Sequence, residues 1–129
     1  MVSLLVIALS LTSTACQMTQ SPFQRTAGEV GATFAAASVT LTYEHQQKIS
    51  QAYATSSFEN YLSNLQGLDQ DLPSQSGTPD PQTVQQLLSL YKTALEAVKQ
   101  PCLEEGCDWR GQVASLDKTS QTFLKAGGQ

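Results

Sequence analysis

Charge is the first thing this sequence lacks. Only 14% of its 129 residues are Asp, Glu, Lys or Arg, against about a quarter in an average soluble domain. Seven basic residues face eleven acidic ones, for a net charge of −4. The basic residues are scattered along the chain. That excludes the basic surface that nucleic-acid binding needs and the polybasic patch that recruits anionic lipid. There is one histidine, His45, and one tryptophan, Trp109. A single His leaves no His-based zinc set, and no Glu-x-x-His pair, phosphate-binding glycine loop or nucleophile elbow occurs. The sequence therefore predicts no catalytic residue, no metal and no cofactor. Proline is missing between Pro22 and Pro73, so nothing over that length forbids helix.

Helical periodicity is what the sequence does have. Ser21-Pro22 reads as a helix start, with Ser21 as cap and Pro22 at the first helical position. Phe23, Ala27, Val30, Phe34, Ala37 and Leu41 then recur at spacings of four and three, an amphipathic stripe. With one four-residue slip it continues through His45, Ile49 and Ala52 to Phe58, Tyr61, Leu62 and Leu65. This predicts one helix over about 22–66, continuous or bent, with the bend at Ala54–Ser57 where the stripe is interrupted. Gly28 and Gly31 weaken its first third. The polar–apolar alternation of Ser38–Tyr43 leaves a strand open there, although the Ala-rich flank and the helical spacing favour helix.

Residues 68–81 carry Asp69, Asp71, Pro73, Gly77, Pro79 and Pro81 and read as a long loop. Asp80-Pro81 opens the next helix, with Val84, Leu87, Leu88, Tyr91, Ala94, Leu95 and Val98 on its apolar face; Pro101 ends it. Asp108 caps a last helix bearing Trp109, Val113, Leu116, Ser120 and Phe123, and Gly127-Gly128 stops it. The expected fold is all-α: an antiparallel bundle of three helices, the first one long, or bent to give four. A first helix that projected beyond its shorter partners would expose its apolar stripe. Closure of the bundle is thus expected first, and self-association second.

The opening stretch, MVSLLVIALSLTSTAC, is an apolar run of about ten residues followed by small residues and Cys16. The run matches the length of a signal-peptide hydrophobic region and is too short for a spanning helix, which needs about 20. Ser13-Thr14-Ala15-Cys16 resembles the bacterial lipoprotein signal pattern. That resemblance covers residues 1–16 only and implies cleavage before Cys16 and a lipid on its side chain. Ser13 stands where the family usually has Leu, and no Lys or Arg precedes the apolar run. Ordinary cleavage after Ala15 and an uncleaved tether are the competing readings. The organisation expected is a signal peptide over 1–15, a tether over 16–21 and a helical-bundle domain over 22–129.

Three cysteines in an exported chain leave one over. Lipidation of Cys16 accounts for it, and Cys102 and Cys107 then form the pair. They flank Leu103-Glu104-Glu105-Gly106, a gap whose glycine permits a tight turn, and an oxidising compartment favours their disulfide. A redox dithiol would more typically have two intervening residues, and a metal site lacks further ligands nearby.

His45 lies on the helical stripe, which makes it a partly buried structural residue before it is a general base. Trp109 reads as a helix-start anchor; with Arg110 it is also the candidate partner surface, since both residue types are enriched at interface hot spots. The functional expectation is an exported, membrane-tethered helical lipoprotein of the bacterial envelope, acting as a non-enzymatic interaction or structural protein. Its expected partners are the membrane, through lipid on Cys16, and another envelope protein. The alternative is a small-ligand-binding helical module with a pocket lined by Phe34, Tyr43, Tyr53, Tyr91 or Phe123.

Overall fold

Local capping chemistry sets where the helices begin. A computed structural model describes residues 20–128, so the expected signal peptide and Cys16 lie outside the described residues. The helices are α1 (Pro22–His45), α2 (Gln51–Leu65), a single-turn α3 (Leu68–Asp71), α4 (Pro81–Lys99) and α5 (Trp109–Ala126), with a 3-10 turn over Leu72–Ser74. The expected starts at Pro22, Pro81 and Trp109 are all present. Ser21 accepts from Gln24 N–H while the Gln24 side chain accepts from Ser21 N–H, a complete capping box. Asp80 accepts from both the backbone N–H and the hydroxyl of Thr83, and these bonds hold its carboxyl below the usual carboxylate range. Asp108 accepts from Gly111 N–H. The Ser38–Tyr43 stretch lies inside α1.

The continuous first helix is corrected. The chain breaks at 46–50, not at Ala54–Ser57, which lies inside α2. Gln47 adopts a left-handed φ of 61°. Lys48 N–H then reaches Tyr43 C=O and Gln47 N–H reaches Glu44 C=O, the paired bonds of a Schellman ending. Tyr43 and Lys48 also touch through their side chains, with Lys48 Nζ 4.9 Å from the centre of the Tyr43 ring in a cation–π contact. Ser50 restarts the helix by accepting from Tyr53 N–H. The sequence concealed this ending because Gly or Asn usually marks it, and Gln47 does not.

The break yields a four-helix bundle. Alpha1 packs on α2 and α5, and α4 packs on the same two, so sequential neighbours close a ring. Three contacts show that α1 and α5 run antiparallel. Gln20 at the start of α1 donates to Gly127 C=O, Ser38 donates to Asp117 at 2.6 Å, and His45 at the end of α1 meets Trp109.

Every residue of the stripe from Phe23 to Leu41 is buried. Gly31 has a packing reason: a Cβ there would stand 2.9 Å from Leu124 N and 3.0 Å from Ser120 O. The helix propensity given up at Gly31 thus permits close backbone approach. Residues 68–81 are more ordered than a loop. They hold the two short helical turns, bury Leu72, and supply the Ser76 C=O that accepts from Phe23 N–H in the first turn of α1.

Candidate functional site

The chemistry-bearing residues converge at one end of the bundle, where α1 finishes, the α4–α5 link turns and α5 begins. Cys102 and Cys107 form the expected disulfide, with Cα atoms 5.9 Å apart. Gly106 turns the loop between them with a φ of 93°, a conformation that glycine adopts without strain. The segment is pinned to both flanking helices by one side chain. Gln112 Oε1 accepts from Cys102 N–H at 2.8 Å while its Nε2 donates to Gln100 C=O at 3.1 Å.

His45 is the last residue of α1, and its ring joins that helix to the loop. Nε2 lies 2.5 Å from Cys102 C=O. A carbonyl can only accept, so Nε2 carries the hydrogen. The ring also stacks on the Trp109 indole, with centroids 4.5 Å apart and planes within 7°. Glu44 Oε2 lies 3.4 Å from the same nitrogen and is buried with no hydrogen-bond donor among the described residues. The sequence placed Glu44 and His45 side by side; it did not show that both turn toward the disulfide loop.

Trp109 and Arg110 are adjacent, as the candidate partner surface requires. Trp109 is half-buried and packs against the core, while Arg110 is exposed with its guanidinium carbon 4.9 Å from the indole centre. His45 and Arg110 both stand over the indole, and Arg110 can be changed without touching the grip on His45. Glu104, Glu105, Cys107 and Asp108 are exposed around them. An open groove of about 550 Å³ between α4 and α5 leads to the disulfide, lined among others by Glu96, Gln100, Asp108 and Gln112.

The five aromatic residues proposed for a ligand pocket separate into three in the core and two on the surface. Phe34, Tyr91 and Phe123 are buried and pack on one another, with centroids 5.7–6.4 Å apart. They fill the core. Tyr43 and Tyr53 are on the surface, 42% and 63% exposed. Burial pushes the Tyr91 hydroxyl up to about 12, with the Asp69 carboxylate adding to the shift. That hydroxyl donates to Leu65 C=O at the end of α2.

Among the described residues no group of three or more His, Cys, Asp or Glu is placed to hold a metal ion, and no helix is long and apolar enough to cross a membrane. No protein-family model matches this chain, nor does any curated protein or solved structure.

Proposed function

We propose that this protein is an exported lipoprotein of the bacterial envelope, tethered to a membrane by lipid on Cys16, and that its helical bundle serves as a non-enzymatic interaction or structural module. The observation that carries the reading is the pairing of Cys102 with Cys107. It leaves Cys16 as the one cysteine outside that pair, at the position where the signal pattern requires a lipid acceptor. A disulfide also suits an oxidising compartment. The only histidine is engaged by Cys102 C=O and the Trp109 ring, a structural use of the one side chain best suited to acid–base work near neutral pH. The candidate partner surface lies where α1 ends, beside His45. That helix has 24 residues, about 36 Å of rise.

The test is mass spectrometry of the mature N-terminus together with fractionation. The native chain is expected in the membrane fraction with an acylated Cys16 as its first residue, and Cys16→Ser is expected to become soluble. A soluble native protein beginning with an unmodified Cys16 refutes the tether. The interaction role has its own variant. Arg110→Glu is expected to abolish crosslinking to a partner in the intact envelope without changing the melting temperature; crosslinking that persists removes Arg110 from the surface.

A further inference from the structure

The two halves of the disulfide differ in access. Cys102 is buried, with 6% of its surface accessible, while Cys107 is exposed beside the open groove between α4 and α5. A thiol from solvent can therefore reach Cys107 Sγ with the bundle folded.

The ring that this bond closes carries the grip on α1. Cys102, at its start, supplies the carbonyl that accepts from His45. Trp109, two residues beyond its end, supplies the indole on which His45 stacks. The covalent bond holds carbonyl and indole at one spacing, so His45 meets both at once. The end it grips carries one strained residue, since Gln47 in the next turn holds a left-handed conformation that favours glycine. The rest of the core is independent of the cysteines. The Gly31–Ser120 approach and the Phe34–Tyr91–Phe123 cluster lie on other contacts.

The geometry points to a redox-operated latch: the Cys102–Cys107 bond locks the end of α1 through His45 and Trp109, and reduction by a dithiol frees the α1–α2 turn while the bundle stays folded. The thiolate of an external dithiol attacks Cys107 Sγ. The Cys102–Cys107 bond breaks, and Cys102 leaves as a thiolate that takes a proton from water. The second thiol of the reductant then attacks the mixed disulfide, closes its own disulfide and releases Cys107. Two electrons pass from the dithiol to the protein. Glu104 C=O, 3.2 Å from Cys107 Sγ and 3.8 Å from Cys102 Sγ, is in place to accept from either new thiol. The latch does not depend on acylation of Cys16.

Trp109 is the only tryptophan, so its fluorescence reports on the latch directly. The experiment follows the full chain, purified in detergent, by indole emission and amide hydrogen exchange before and after millimolar dithiothreitol. Mass after alkylation counts the thiols released from the pair. Reduction is expected to shift the emission to longer wavelength and to speed exchange at Gln46–Lys48 by about tenfold, leaving α4 protected. In oxidised His45→Ala those amides are expected to exchange fast already, with no further gain on reduction. Complete reduction without change in emission or exchange overturns the proposal. So does unfolding of the whole bundle on reduction, or a disulfide that resists the reagent until the protein unfolds.

Discussion

The two flanks of α1 are built on different principles. Toward α5 it presents Gly31 and Ser38 beside Phe34, and the backbones come so close that Gly31 has no room for a Cβ. Ser38 and Ser120 are buried in the same seam, and Ser38 is bonded across it to Asp117. Toward α2 the contact is sparser. Alpha2 buries only Ala54, Phe58 and Leu65. One hydroxyl fastens it to α1, with Tyr61 2.8 Å from Thr40 Oγ1, and Tyr91 of α4 fastens its far end by donating to Leu65 C=O. The seam has little freedom to adjust, because backbone faces backbone. The α2 flank depends on a few long side chains, each of which can be removed singly.

Overpacking the seam is the change expected to cost most. Gly31→Val places two extra carbons beyond a Cβ that already meets Leu124 N and Ser120 O. Because backbone rather than a mobile side-chain tip stands in the way, a loss of about 3 kcal/mol is expected in urea unfolding. A loss below about 1 kcal/mol would show that α1 and α5 can move apart.

The fastening of α2 to α4 gives a smaller effect with a pH signature. Tyr91→Phe leaves Leu65 C=O buried without its donor, and a loss of about 1–2 kcal/mol is expected. The folded Tyr91 hydroxyl titrates near 12 and the unfolded one near 10.0. The fold therefore favours the protonated hydroxyl. That contribution is complete below pH 10 and is lost as pH rises from 10 toward 12. Urea midpoints measured between pH 9 and 11 are expected to fall more steeply for the native chain than for Tyr91→Phe. Equal slopes would remove Tyr91 as the cause.

The smallest expected effect has the opposite sign. Gln47→Gly relieves the left-handed residue in the α1–α2 turn. It should stabilise by up to about 1 kcal/mol, offset in part by the extra freedom of glycine in the unfolded chain. A rise in melting temperature is the check; a fall would mean that the Gln47 side chain contributes more than its backbone strain removes.

The parts of this fold legible in the sequence were those with local causes. Ser21-Pro22, Asp80-Pro81 and Asp108 carry their caps within three residues of the helix start, so the pattern is visible in a short window. The stripe from Phe23 to Leu41 identifies the buried face because helical period alone decides which side chains align. The end of α1 was not legible. It is a left-handed turn at a Gln, fixed by bonds to Tyr43 and Glu44 and by the docking of His45. At the site, the Cys102–Cys107 pair could be read from cysteine number and spacing. The contact between His45 and Trp109 spans 64 positions of the chain and has no local signal.

Sequence alone determined that this protein is helical, where three of its four main helices start, which face of α1 is buried and which cysteines pair. Each follows from chemistry acting over a few residues: capping oxygens, the helical period and a short loop with a glycine. Tertiary structure decided that α1 and α2 are separate helices, that Gly31 marks a close backbone approach, and that the sole histidine is locked between a carbonyl and an indole. Those outcomes depend on which surfaces meet when the bundle closes, and periodicity along one helix carries no information about the residue that arrives from another.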